Sequence, residues 1–303
     1  MNLETHFRHI RIRSLVIQTI RDFFNQNNFL EVETPIRCPA VIPEAQIDPV
    51  SSEGFFLQAS PELCMKRLLS KGWDRIFQIC KCFRKNERGS HHLPELTMLE
   101  WYAKDNTYQD LMDQCEALVK FIAARLNLDG KLPYQGETIH LDQPWQRITV
   151  SEAFRLYSDI PLPEALKLDQ FDEIVGFRIE PHLGNTTPAF LYDYPASLAS
   201  LARLLPQNPE FAERVEFYMA GIELANGFTE LNDAVEQKKR FDKENMIRSA
   251  REQSFLPMPD QFLKDLETMP EAAGIALGVD RLVMLFCDVK TIDEIVCFTP
   301  EAL

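Results

Sequence analysis

Two apolar runs facing each other across a polar loop constrain this chain most. Residues 76–84 (IFQICKCFR) and 95–103 (ELTMLEWYA) are β-rich, and the KNERGSHHLP between them is mostly charged or polar. That pattern predicts a long antiparallel hairpin. A second hairpin is predicted at 215–225 (VEFYMAGIELA), with Ala220-Gly221 as its two-residue turn. Antiparallel hairpins with helices packed around them indicate an α+β fold, a mainly antiparallel sheet flanked by helices.

The helices follow from periodicity. Ile12, Val16, Ile20 and Phe23, supported by Leu15 and Phe24, predict an amphipathic helix over 8–25. Asn27-Asn28 ends it, and FLEVETP (29–35) alternates as a strand up to Pro35. A strand at 55–59 leads to a helix with Pro61 in its first turn, running through Leu63, Cys64, Arg67 and Leu68. Tyr108, Leu111, Met112, Cys115, Leu118, Val119 and Ile122 define another helix, opened by a Thr107/Asp110 capping box. Residues 127–150 read as a connection with short strands, with Ser151 capping the helix that follows. The Pro-rich stretch 181–198 reads as irregular. A Lys/Glu-rich helix near 236–253, a Pro-interrupted loop, a helix from about 279 and a strand near 294–298 complete the chain.

A length of 303 residues with 45% hydrophobic content is enough for a large core, and one domain over 1–303 is expected. No run is apolar and long enough to span a bilayer, and MNLETHFRHIRIR lacks the apolar core of a secretory signal, so no membrane association and a cytoplasmic location are expected. The net charge of −14 argues against a protein that works by gripping nucleic-acid phosphates. Seven cysteines without zinc-site spacing read as reduced thiols; Cys80 and Cys82 simply share a strand face.

There is no glycine-rich phosphate loop and no dinucleotide fingerprint. Three other segments stand out: FLEVETP (29–35), FRKNERGSHHLPELTMLEWY (83–102) and GIALGVDRLVMLF (274–286). In order and spacing they resemble motifs 1, 2 and 3 of the class II aminoacyl-tRNA synthetases, which implies that family's catalytic fold and ATP chemistry. On that resemblance Arg84 and Arg281 are the catalytic phosphate arginines. Gly278 lets backbone approach the nucleotide. Glu223 and Leu224 complete the ATP site with Asn86 or Glu87. Taken alone, each arginine also fits a surface salt bridge.

Geometry speaks to the acids at 216–230. With an Ala220-Gly221 turn, Tyr218 lies opposite Glu223, and Glu216 is a diagonal neighbour on the same face, about 7–8 Å away at the backbone. Two facing carboxylates need a cation, and Mg²⁺ carrying ATP meets that need. An exposed acidic strand face is the alternative.

The run ELANGFTELNDA (223–234) resembles the lysyl-tRNA synthetase segment whose second Glu, here Glu230, receives the lysine ε-ammonium. The same resemblance implies substrate contacts by Ser60, Glu62, Tyr102, Asn226 and Ala276. Because the motif 1 helix starts so early, no anticodon-binding domain is expected, and the chain looks like the elongation factor P (R)-β-lysine ligases, which join lysine or β-lysine to a lysine of that factor. GIELANGF, MLEWY and ALGVDRLVML carry the likeness. Ala276, where lysyl-tRNA synthetases usually have Gly, would crowd an α-amino group.

The resemblance implies ATP and Mg²⁺ as cofactors, elongation factor P as acceptor, no role for tRNA and a homodimer. A truncated synthetase that charges tRNA, a ligase for another acceptor and a non-catalytic binding protein remain as alternatives. Two departures bear on adenine: motif 2 reads Phe83-Arg84-Lys85-Asn86-Glu87, one residue longer to the acid than usual, and Leu93 replaces an Asn. Asn86 shares the face of Arg84 if the strand stays regular; a bulge brings in Glu87, the preferred partner. His91 and His92 either touch phosphate or face solvent.

Overall fold

The structure, a computed structural model, describes residues 3–303; Met1 and Asn2, where the expected domain begins, lie outside the described residues. Eight strands of the described residues form one sheet: β1 Leu30–Glu31, β2 Arg75–Phe83, β3 Glu95–Lys104, β4 Gln146–Thr149, β5 Ala189–Pro195, β6 Phe211–Met219, β7 Ile222–Thr229 and β8 Ala272–Gly278. Their order is β1-β2-β3-β8-β7-β6-β5-β4. The interior pairs are antiparallel; only β1 with β2 and β4 with β5, at the two edges, run parallel.

The β2–β3 hairpin pairs from Arg75 with Ala103 to Phe83 with Glu95, as the apolar runs predict. It works because its central side chains are wanted on both faces: Phe77, Leu99 and Trp101 pack against helices, while Met98, Glu100 and Tyr102 belong to the other face. Against the first face lie α1 (Leu3–Gln26) and α3 (Tyr108–Arg125). Phe24 of α1 stacks on Phe77 with centroids 4.8 Å apart and tilts against Trp101 at 5.2 Å. Helix α3 opens with the predicted capping box: Asp110 accepts from the Thr107 backbone N–H at 2.7 Å.

The second face carries α2 (Glu62–Leu69), with α4 (Ala234–Ala250) and α5 (Asp260–Leu266) beyond it, sharing a buried cluster that includes Leu63, Leu69, Phe241 and Phe262. Helix α6 (Val279–Phe286) leaves the end of β8 without a break.

Several expectations are corrected. Residues 181–198 contain β5, an internal strand; its prolines stand outside or at the end of the paired run, where no ladder N–H is required, and a bulge at Asp193 (φ +59°) absorbs the irregularity. The strand near 294–298 is absent from the described sheet: Ile292–Ile295 is a 3₁₀ turn whose isoleucines bury into the core, and Ile292 N–H donates to Ser90 O at 2.8 Å. Thr149, not Ser151, caps the helix Val150–Tyr157, accepting from Glu152 N–H at 3.1 Å. Pro61 is the residue before α2 rather than inside its first turn. Helix α1 begins by Leu3, and α5 lies in the loop that the prolines appeared to interrupt. Of FLEVETP only Leu30–Glu31 is strand, although Val32 N–H still donates to Phe77 O at 2.9 Å.

Candidate active site

A cavity of about 750 Å³ opens over β3, β7 and β8, closed by α2, the loop 39–49 and the segment 257–262. Arg84, Glu87 and Arg281 line one end; Ser60, Glu62, Asn226 and Ala276 also line it.

At the arginine end, β2 stops at Phe83 and the chain turns, with Asn86 in the left-handed region (φ +64°). The regular register that would aim Asn86 inward therefore does not hold. Asn86 is exposed, whereas Glu87 lines the cavity and pairs with Arg84 at 3.6 Å. The Arg84 Nε is buried without a hydrogen-bond partner. Arg281, in the first turn of α6, donates to Glu223 O at 2.6 Å and Glu223 Oε2 at 3.3 Å. Its other amino group meets His92 Nε2 at 2.5 Å. Burial and then the Arg281 charge push His92 down to about 4, so a neutral ring faces the guanidinium. His91 and His92 both line the cavity, His91 half-buried and His92 still exposed. A methyl group built on Gly278 would meet nothing nearer than 3.8 Å, so this backbone stands open to a ligand. Leu93, in place of the expected Asn, is buried in the core.

The hairpin of the acids turns as expected at Ala220 (φ +53°) and Gly221 (φ +71°), both left-handed as a type I′ turn requires. Tyr218 pairs with Glu223. Then the register shifts: Phe217 pairs with Ala225 and Glu216 with Asn226, leaving Leu224 as the extra residue of a bulge. Glu216 is not a free metal ligand. Its Oε1 accepts from Arg214 at 2.6 Å and Asn226 at 3.1 Å; its Oε2 accepts from Tyr218 at 2.6 Å and from Tyr194. Four donors fill the lone-pair positions of a carboxylate. Glu223 differs: burial and then Glu216 push its carboxyl above the ordinary range, and Arg281 opposes them. Among the described residues no three His, Cys, Asp or Glu side chains converge as a metal cluster. Glu223 fits a divalent cation; Glu216 as hydrogen-bonded here does not.

Behind the other end, where Ser60 and Glu62 line the cavity, lies a nest of buried acids around one internal cation. Glu62 and Lys66 are one turn apart on α2, and Lys66, 1% exposed, donates to Glu62 Oε1 at 2.5 Å and pairs with Glu230. Burial alone would lower the Lys66 pKa, but Glu230 and Glu62 outweigh it and hold the ammonium charged. Glu100 is wholly buried and accepts from Ser60 Oγ at 2.6 Å and Tyr102 Oη at 2.8 Å. Burial is the main reason that Glu100 and Glu230 are each pushed up to about 8, with Glu62 adding to both. The expectation that Glu230 waits for a substrate ammonium is therefore modified: its Oε2 faces Lys66, while Oε1 is buried without a hydrogen bond. Gly274 makes this packing possible, since a Cβ there would fall 2.1 Å from the Tyr102 ring and 2.6 Å from Glu230 Oε1.

Sequence reasoning missed Lys66, Glu100 and Arg214. A signal existed for each: Glu62 and Lys66 are spaced i,i+4, Glu100 interrupts the apolar run MLEWY, and Arg214 shares a strand face with Glu216.

The family described as tRNA synthetases class II (D, K and N) matches residues 2–302. A protein of Pectobacterium carotovorum named elongation factor P–(R)-β-lysine ligase is 37% identical over 305 residues, covering 95% of this chain and 94% of the relative. Proteins of the same name from Vibrio cholerae (37% over 312 residues) and Klebsiella pneumoniae (36% over 305 residues) cover the same shares.

Proposed function

We propose, on the premise that this chain belongs to the class II tRNA synthetase family (D, K and N), that it uses ATP to activate lysine or (R)-β-lysine as the aminoacyl adenylate and passes it to a lysine of elongation factor P. One observation carries the substrate class: buried Glu62 and Glu230 share a single internal ammonium, Lys66, and buried Glu100 beside them has only the Ser60 and Tyr102 hydroxyls. Three acids with one cation leave room for the two ammonium groups of a diamino acid. Relatives of 36–37% identity that bear the ligase name support the acceptor.

Arg84 and Arg281 both line the cavity, and in this reading they bind the α-phosphate that the substrate carboxylate attacks in line, releasing pyrophosphate. Arg84, with an unpartnered Nε and one long ion pair, is free to take that charge. Glu87, turned into the cavity beside it, is the acceptor for the adenine amino group. A divalent cation such as Mg²⁺ would shield the ATP phosphates, with Glu223 the carboxylate that would hold it. Glu216 instead fixes Asn226 and Arg214. Ala276 lines the cavity between Glu100 and Asn226 on the neighbouring strands, where its methyl group favours a β- over an α-amino group.

The net charge of −14 supports a protein acceptor over tRNA. The exposed Leu3 and Phe7 on α1 support a homodimer, and no described helix is long and apolar enough to cross a membrane, in keeping with a cytoplasmic role. Pyrophosphate exchange across α-lysine, both β-lysine enantiomers and ornithine tests the activation step. Intact mass of elongation factor P after incubation with enzyme, ATP and the best substrate tests the transfer. tRNA charging without a mass shift on the factor would overturn the acceptor.

A further inference from the structure

The loop 39–49 closes the cavity, and its backbone is held on every side. Buried Arg248 of α4 donates to Glu44 O at 2.7 Å and Ile47 O at 3.0 Å, and reaches Asp48 Oδ1 at 3.1 Å. Ala45 N–H donates to Glu244 at 2.9 Å, and Lys85 N–H donates to Asp48 O at 2.9 Å, which ties the loop to the residue after Arg84. So many anchors fix the backbone at Glu44, yet the Glu44 carboxylate lines the cavity and makes no hydrogen bond or ion pair among the described residues. An acid held this firmly, half-buried and open to the cavity, is placed to take a cation from a ligand.

Its surroundings say what that ligand group must be. The charges acting on Glu44 are the carboxylates Glu62 and Glu244 and the guanidiniums Arg84 and Arg214. Glu44, Glu62 and Arg84 line the same cavity, the latter two close enough for their charges to act on Glu44. In a lysine-like substrate the amino group on the α or β carbon is only two or three bonds from the carboxylate, while the ε-ammonium is at the far end. The near amino group must therefore fall between Arg84 and the nest.

We propose that Glu44, with Glu62, receives the substrate ammonium nearest the reacting carboxylate, and so selects diamino acids over ω-amino acids that lack this group. The proposal rests on the lysine-activating reading above. Burial, followed by Glu62, pushes the Glu44 carboxyl up to about 7, consistent with an acid whose cation arrives with the substrate.

The test compares wild type, Glu44→Gln and Glu44→Asp with β-lysine and α-lysine as substrates, and 6-aminohexanoate as substrate or competitive inhibitor. For Glu44→Gln the KM for both diamino acids is expected to rise roughly tenfold or more, because a charge-assisted hydrogen bond is lost. The 6-aminohexanoate constant and the KM for ATP should stay within about twofold, and Glu44→Asp should recover part of the loss. An equal rise for 6-aminohexanoate would show that Glu44 merely shapes the loop, and an unchanged KM for all three would show that it touches none; either overturns the proposal. If Glu44→Gln lowers the melting temperature, the charge-retaining Asp variant decides by the same ratio of constants. Wild-type enzyme that activates no lysine-like amino acid would instead sink the functional reading, and the Glu44 role with it.

Discussion

The two ends of the cavity bury the same kind of side chain and neutralise it in opposite ways. At the phosphate end each carboxylate has its own arginine: Arg214 for Glu216, with two tyrosines and Asn226 completing the shell, and Arg281 for Glu223. At the other end Glu62 and Glu230 share Lys66, Glu100 has only two hydroxyl donors, and Glu100 and Glu230 are left with pKa values pushed up to about 8. The difference lies in the donors. A guanidinium fork brings several N–H groups in fixed geometry and stays charged when buried, whereas an ammonium is a single point that Glu62 and Glu230 already divide. One end is therefore a preformed anion site and the other is short of positive charge. On the proposed function, that shortage is what an incoming substrate ammonium would relieve.

The largest effect is expected from removing the shared cation. Lys66→Met leaves Glu62 and Glu230 facing each other in a buried site and should destabilise the fold by about 3–5 kcal/mol, read from urea unfolding. Unchanged stability would mean that Lys66 does not neutralise the nest. At the other end, Arg84→Ala should lower the rate of pyrophosphate exchange by roughly 10²–10³, the usual loss for one donor to a developing charge, while the urea midpoint stays near wild type. A comparable loss of stability would erase the contrast between the two ends.

Glu230→Gln is expected to weaken amino-acid binding about ten- to a hundredfold, by calorimetry, and to leave ATP binding unchanged. Equal losses for both ligands would show that the two ends are not separable. The smallest effect concerns pH. Glu100 has a pKa raised to about 8 from the ordinary 4.5, so the folded protein keeps a proton that the unfolded chain releases. Its contribution is intact below about 4.5 and lost as pH rises through about 8, so stability falls across that window. Glu100→Gln should flatten the fall and gain about 1 kcal/mol or more at pH 8. A melting profile that falls as steeply in the variant would move the titration to another group.

Much of this was legible in the residues. The β2–β3 hairpin, the type I′ turn at Ala220-Gly221 and α3 with its capping box follow from local pattern, because turn chemistry and side-chain alternation act within a few residues. Arg84, Gly278 and Arg281 were named from the resemblance to the family's motifs, and all three line the cavity. What failed were the judgements that depend on a partner distant in sequence. Strand β5 was hidden by its prolines, since only the sheet could show which N–H groups were needed there.

The sequence by itself determined the family and named many of the residues that line the cavity: three motifs in order, with Arg84, Arg281, Glu62 and Glu223, do not depend on knowing their separation. Only the tertiary structure decided how those charges are shared. Alternation put Glu216 and Glu223 together as a metal pair, but the bulge at Leu224 moved Glu216 opposite Asn226, into a shell completed by Arg214 and the tyrosines. Asn86 and Glu87 were separated by one left-handed residue that turned the acid inward. Glu230 found Lys66, 164 positions away by their numbers, because α2 packs on β3, whose Tyr102 lies with Glu230 over the space that Gly274 leaves open. Charge neutralisation in a buried site is set by distances of a few ångström between segments far apart in the chain, and local sequence pattern carries no information about those distances.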